Sequence, residues 1–344
     1  MVLAMQAELE IRAKNWPFKK LETIYFGGGT PSILSGNMLA DLFETLQKYY
    51  EIEPKAEITL EANPDDISVE NIKVWKSLGI NRLSIGLQSS HDARLVWMNR
   101  IHTSEEGRRS VLLAQDLGIE NISLDLMYNF PESTLFELEE DIQFILALSP
   151  KHISAYGLTI EPQTVFGEKL KKGKLIPLPE ENAAIQFLKV SADLQSAGFE
   201  HYEISNFGRP GFHAVHNSNY WFQKPYLPIG PGAHGFDGET KFENLPYNAL
   251  YIKNLLGQTE LLQKVEKLSS TEWANEMIMT RLRTKWGLPS DEFKERTGFE
   301  VLKDKRSELA RFQNADLLRI ENQTIFLTES GKLLADRITM EMMY

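Results

Sequence analysis

Ile24-Tyr25-Phe26-Gly27-Gly28-Gly29-Thr30-Pro31 decides the fold. Its first three residues are apolar or aromatic, the mark of a short buried strand. Three glycines follow at once, then Thr-Pro. A backbone without Cβ lets a ligand lie directly on it and takes positive φ at no steric cost. At a strand's C-terminal end, where α/β folds bind ligands, such a loop turns its amides outward. Thr30 adds one hydroxyl that both donates and accepts, and Pro31 stiffens the exit. A tight strand-to-helix turn needs one or two glycines, so three in a row favour a binding loop. The spacing differs from the dinucleotide fingerprint.

The same strand-then-helix unit recurs downstream. Strands are expected at 24–26, 57–62, 82–88, 121–128 and 152–159, with helices at 36–50, 68–78, 104–117 and 134–148. Gly79, Gly118 and Pro150 mark helix exits. A period of roughly 30 residues predicts a parallel sheet or barrel. The strands are almost continuously apolar, as strands covered on both faces are. Residues 1–16 place Val2, Leu3, Met5, Leu9 and Ile11 at helical spacing. A helix ahead of the first strand points to a further strand upstream.

Polar residues interrupt or end these strands. Glu61 ends Ile58-Thr59-Leu60-Glu61, Gln88 ends Leu83–Gln88, and Thr159 ends Ser154–Thr159. Asp125 stands between Leu124 and Leu126. Glu61 and Thr159 alone would equally suit exposed strand ends or helix caps. An acid flanked by leucines is near-buried and needs partners, so Asp125 belongs to a functional or structural network. Together with the glycines these residues define a pocket at one end of the sheet. Arg100 suits a carboxylate or phosphate fork, or a plain helix-end arginine. His102 suits a cap or packing better than ligation.

Residues 160–180 loosen into a Pro/Gly-rich loop, followed by a helix at 181–197 and a strand at 199–206. Residues 201–238 hold four of the seven histidines, among aromatics and glycines. Composition here suits a long structured loop better than a regular helix. Imidazole can ligate a metal or haem iron and flat aromatics can sandwich a macrocycle, although packed aromatics with carbonyl-bonded histidines fit the composition slightly better. His213-x-x-His216 as a zinc pair lacks further ligands. Residues 268–344 read as a small domain of three helices and a hairpin, winged-helix-like, closed by a last helix. The domain boundary is placed at 236/237, giving units 1–236 and 237–344.

With 42% apolar and 25% charged residues, the 344-residue chain reads as an ordinary globular protein. It lacks an apolar run of the roughly 18 residues a membrane span needs, and no signal peptide is visible, so the cytoplasm is the default compartment. A formal charge of −11 argues against a nucleic-acid partner. With no cysteine, the chain offers no thiolate nucleophile, disulfide or iron–sulfur ligand.

These landmarks resemble the HemN/HemW family of radical S-adenosylmethionine (SAM) proteins over nearly the whole chain. The similarity runs through Gly27–Ser32, Glu61-Ala62-Asn63-Pro64, Asn81–Gln88, Arg100-Ile101-His102 and Tyr202–Phe207. His216-Asn217-x-x-Tyr220-Trp221 resembles the motif of the family's haem-chaperone branch and is the most specific of them. The resemblance implies a partial (β/α)6 barrel, with the first strand and a Cys-x-x-x-Cys-x-x-Cys loop lying ahead of residue 1. The sequence is accordingly expected to be shortened upstream, to expose a sheet edge, and not to cleave SAM by itself. By resemblance, Gly28, Gly29 and Thr30 receive the methionine end of SAM, and Glu61 and Thr159 make further SAM contacts. Gln88, Arg100 and Asp125 match a second SAM site of the oxidase branch. His216 becomes the candidate haem-iron ligand, with Asn217, Tyr220 and Trp221 shaping the haem site. The implied cofactors are SAM, a 4Fe-4S cluster in the full-length family, and haem. The implied partners are haem or porphyrin, a haem-receiving respiratory protein, and membrane enzymes met peripherally. The alternative activity is oxygen-independent coproporphyrinogen III oxidation.

Overall fold

The computed structural model describes residues 1–257 and 261–344. Its first half alternates strands and helices: α1 (Val2–Asn15), β1 (Lys20–Phe26), α2 (Gly36–Tyr49), β2 (Glu51–Ala62), α3 (Val69–Ser77), β3 (Arg82–Gln88), α4 (Asp92–Trp97), α5 (Ser104–Asp116), β4 (Asn121–Tyr128), α6 (Leu135–Ala147) and β5 (His152–Gly157). Next come α7 (Val165–Lys171), α8 (Glu180–Ser196), β6 (Glu200–Glu203), β7 (Asn206–Gly208) and α9 (Val215–Trp221). The remainder holds β8 (His234–Phe236), β9 (Thr240–Asn244), α10 (Asn248–Leu256), β10 (Gln263–Lys267), α11 (Ser270–Leu282), β11 (Leu288–Pro289) and α12 (Ser290–Thr297). It ends with α13 (Val301–Asp304), α14 (Arg306–Asn314), β12 (Leu318–Glu321), β13 (Thr324–Leu327), α15 (Glu329–Lys332) and α16 (Ala335–Met342). Among the described residues, no helix is long and apolar enough to cross a membrane.

The chain forms two compact units, neither continuous in sequence. One comprises Tyr25–Ile33 and Ile58–Ala214; the other comprises Met1–Ile24, Leu34–Glu57 and Val215–Tyr344. The strands of the largest sheet run in the order β1-β2-β3-β4-β5-β7-β6. The pairs β2/β3, β3/β4 and β4/β5 are parallel, with Glu61 opposite Ser84, Ser84 opposite Ser123, and Asp125 opposite Ser154. This register puts Leu83, Ile85, Ile122, Leu124 and Ile153 into the core, all fully buried. Capping boxes start the two long covering helices: Thr103 with Glu106 opens α5, and Thr134 with Glu137 opens α6.

The expected strand at 199–206 is instead a tight antiparallel pair, β6 and β7. Glu203 turns the chain: its carboxylate accepts from the Ser205 amide at 3.1 Å and from the Asn206 side chain at 2.6 Å. The supposed loop at 160–180 contains α7, capped by the Thr164 hydroxyl on the Gly167 amide at 3.1 Å. Residues 301–314 do not form one helix: the chain breaks at Lys305 into α13 and α14.

In the second unit, β8, β9 and β10 form an antiparallel sheet, and β11, β13 and β12 form another beside α11 to α16. Its α1 is held from inside. Glu8 is fully buried and accepts from Arg12 Nε at 2.7 Å, Asn244 Nδ2 at 2.7 Å, Tyr251 Oη at 2.6 Å and the Gly230 amide at 2.8 Å. A carboxylate out of water is tolerated only with such a full set of donors.

Candidate functional site

The glycine loop leaves β1 as expected, and Glu61 at the end of β2 holds it. Tyr25 Oη donates to Glu61 Oε1 at 2.8 Å, and the Gly28 amide donates to Glu61 Oε2 at 3.2 Å. The loop's glycines serve different ends. A Cβ on Gly27 would stand 2.5 Å from the Tyr25 ring and 2.9 Å from Glu61, so only glycine lets this carboxylate approach. Gly28 has φ +104°, and a Cβ on Gly28 or Gly29 would meet nothing within 4 Å: the loop faces open space. Thr30 leads into a short turn, its carbonyl accepting from Ile33 at 3.2 Å.

Asp125 lies in the same neighbourhood. Enclosure by the strands, then the like charge of Glu61, push its carboxyl up to about 7, against the pull of Arg82, Ser84 and Ser154. Ser84 Oγ donates to Asp125 Oδ1 at 3.3 Å. Burial and Glu61 also drive the Tyr25 phenol far above its ordinary range, so it stays a donor. Two carboxyls in partial enclosure favour a cationic ligand. Between the ordinary aspartate value of about 4 and about 7, the folded chain holds a proton that the unfolded chain has lost. Stability therefore falls as pH rises through that window and levels off above it. Asp125→Asn is expected to raise the melting temperature at about pH 8 and to leave it unchanged near pH 4. Parallel melting profiles for the two proteins across this range would show that Asp125 is not the responsible acid.

A second group forms at the end of β3. Gln88 is buried with φ +70°, and its amide nitrogen comes within 2.9 Å of where a Gly86 Cβ would stand. Arg100 Nη1 reaches the same spot at 3.8 Å and donates to Asn63 Oδ1 at 3.3 Å. Thr159 is exposed two residues beyond β5, which ends at Gly157 rather than at 159. His102 is buried and faces the Leu87 carbonyl at 3.4 Å, and burial lowers its pKa, as suits a packed histidine.

The histidine motif belongs to the other unit and is helical, not a loop. Glu57 is the reason: its carboxylate accepts from the amides of Val215 at 3.0 Å and His216 at 2.8 Å, capping α9 from 158 and 159 residues away. Local composition could not reveal such a cap. His216 Nδ1 lies 2.8 Å from Thr23 Oγ1, and Nε2 lies 2.7 Å from Tyr220 Oη, one helical turn on. Burial and the neighbouring Tyr226 push the Tyr220 phenol up to about 12, so it is protonated and donates. Nε2 then accepts, and Nδ1–H donates to Thr23. Asn217 is half-buried. Trp221 carries Arg283 over its ring at 4.9 Å. His213 pairs instead with Glu200 at 2.8 Å and stacks on Tyr202, so the two histidines of the spacing engage different partners.

Thr23, Tyr25 and Glu57 were not among the expected site residues. Tyr25 stood in the decisive stretch but read as one more apolar strand residue. Among the described residues, no group of three or more His, Cys, Asp or Glu could hold a metal ion. The chain has no cysteine, so its own residues do not fit a 4Fe-4S cluster. The open, acid-backed glycine loop does fit SAM, a sulfonium cation.

Two family models match: the radical SAM superfamily over residues 5–145 and the HemN C-terminal domain over 268–334. Heme chaperone HemW of Bacillus subtilis is 34% identical over 92% of this chain and 84% of its own length. Heme chaperone HemW of Haemophilus influenzae is 35% identical over 97% of this chain and 86% of its own. The chain belongs to the HemW family. Its fold is shared with the coproporphyrinogen III oxidase HemN of Escherichia coli, at a TM-score of 0.83 and 21% identity over 98% of this chain and 81% of that one. A partial radical SAM barrel with a small helical C-terminal region is therefore the architecture, and the stretch His216–Trp221 lies in α9.

Proposed function

We propose that this chain binds haem at His216 and delivers it to a haem-receiving respiratory protein, in the cytoplasm and by peripheral contact where the acceptor is membrane-bound. The observation that carries the proposal is the state of His216. Thr23 holds Nδ1, which leaves the Nε2 lone pair, the atom that ligates iron, covered by a tyrosine hydroxyl. A hydroxyl is an exchangeable neighbour, unlike a carboxylate ion pair or a backbone ladder. The HemW relatives, named heme chaperones, support the same assignment. The test is a titration of the folded chain with ferric haem, followed in the Soret band. Saturable binding supports the proposal; a linear, non-saturating rise sinks it.

Iron can reach Nε2 only after Tyr220 lets go. Tyr220→Phe removes that competing hydrogen bond, worth about 1 kcal/mol. Haem is expected to bind about 5-fold more tightly to this variant. Weaker binding would mean that the Tyr220 hydroxyl itself holds the haem.

Gly28, Gly29, Thr30, Glu61 and Thr159 are proposed as the SAM seat, with Gln88, Arg100 and Asp125 as a second polar wall. The open space beside Gly28 and Gly29 and the Glu61 carboxylate that holds the Gly28 amide support this placement. Bound SAM would supply a sulfonium group to that wall. Reductive cleavage needs a cluster that these residues do not hold, and no step is derived through it.

A further inference from the structure

Gln88 carries two costs at once. It is only 6% exposed, yet its side-chain amide makes no hydrogen bond among the described residues. A buried amide without partners is destabilising until a ligand supplies them. Its backbone is strained as well. Its φ is +70°, and the Leu87 carbonyl accepts from the Ser89 amide at 2.9 Å, so Gln88 is the centre of a γ-turn of the rare hand. A residue with a Cβ keeps such a conformation only where its surroundings impose it. The register between β3 and β4 slips between Ile85 and Gln88. The Gln88 side chain comes back to Gly86, beside Arg100, which bonds Asn63 two residues beyond Glu61.

One carboxylate imposes the turn. Asp141, on α6, is 4% exposed and accepts from Ser89 Oγ at 2.9 Å, from Ser90 Oγ at 2.7 Å and from the Ser90 amide. Ser89 Oγ accepts in turn from the His91 amide at 3.1 Å. The three amides after Gln88 are thus all fixed, the first by the turn and the other two through Asp141. A charged acceptor holds such donors more firmly than a neutral one. The element that carries it is fixed too: Glu137 closes the capping box of α6 and takes both oxygens' worth of Arg94, at 3.1 and 3.2 Å. Stability alone does not call for glutamine here. Glycine at 88 would adopt the same φ without strain and leave the same donors on Asp141. What glycine lacks is the amide.

We propose that Asp141 is a positioning residue of the ligand wall: through Ser89 and Ser90 it holds the turn that points the Gln88 amide at bound SAM. This rests on the SAM-seat reading above. The experiment is a double-mutant cycle, with SAM affinity measured by calorimetry on the unaltered chain, Gln88→Ala, Asp141→Ala and the double variant. Each single change is expected to weaken SAM about 10-fold, and the two together also about 10-fold, because the second removes an amide already misdirected. The same cycle with Asp141→Asn, which keeps one acceptor oxygen, is expected to show a smaller loss. Without ligand, Gln88→Gly is expected to melt about 2 °C above Gln88→Ala, the reverse of their order in an ordinary strand.

Losses that multiply, to about 100-fold in the double variant, overturn the positioning role and leave Asp141 a stabiliser of the fold. Gln88→Gly melting below Gln88→Ala overturns the strain and with it the clamp, and this comparison leaves Asp141 untouched. If Gln88→Ala weakens SAM while folded Asp141→Ala and Asp141→Asn do not, the clamp falls and the SAM seat stands. If the unaltered chain shows no saturable SAM binding, or Gln88→Ala binds as well as it does, the place of Gln88 in the seat falls, and the clamp with it.

Discussion

His216→Ala is expected to weaken ferric haem binding by at least about 100-fold and to abolish the shift of the Soret band. Outer partners of a metal ligand already contribute 10–100-fold, on the order of what is lost here as a minimum, because the ligating atom itself goes. The variant is informative because the fold around it should survive. Glu57 caps α9 through backbone amides, which alanine at 216 still supplies. What disappears is the pair of side-chain bonds to Thr23 and Tyr220, which together contribute roughly 1–3 kcal/mol. Circular dichroism should therefore keep its shape, with the melting temperature lowered by a few degrees. Unchanged haem affinity in a folded variant would refute iron ligation by His216.

The largest expected loss of stability lies far from any ligand. Glu8→Ala leaves Arg12, itself only 8% exposed, as a buried cation without its carboxylate. It also removes an acceptor from the Asn244 side-chain amide, the Tyr251 hydroxyl and the Gly230 amide. Breaking a buried pair from one side costs about 3–5 kcal/mol, which corresponds to a fall in melting temperature on the order of 10 °C. Glu8→Gln is expected to be nearly as damaging, since an amide brings two donors into a cluster of donors. A melting temperature within about a degree of the unaltered chain would mean that the network is not intact in solution.

The parallel half of the fold was legible because its signals are local. Apolar runs, exit glycines and capping residues sit next to the elements they define, so β3, β4, α5 and α6 stand within a residue or so of their expected bounds. The glycine loop and Asp125 were legible for the same reason: three glycines in a row and an acid between leucines are conflicts visible in a few residues. What escaped was set at long range. The helix at Val215–Trp221 depends on Glu57, and the orientation of His216 depends on Thr23. Neither partner carries a mark in its own neighbourhood. The break between β6 and β7 depends on one carboxylate folding onto the residues two and three positions ahead, which an apolar-pattern reading cannot distinguish from a continuous strand.

The two-fold division of the chain orders events in time as well as in space. Residues 1–24 and 34–57 leave the ribosome early, yet their unit closes only with 215–344. Thr23 waits for His216 across 193 residues, and Arg12 waits for Asn244 across 232. Closing such loops is entropically slow, and until then Glu8 and Glu57 lack the donors that justify their burial. The motif histidine is thus oriented only after the first 216 of the 344 residues have been made. A chain cut short before residue 216 leaves Thr23 and Glu57 without the partners that the finished molecule gives them.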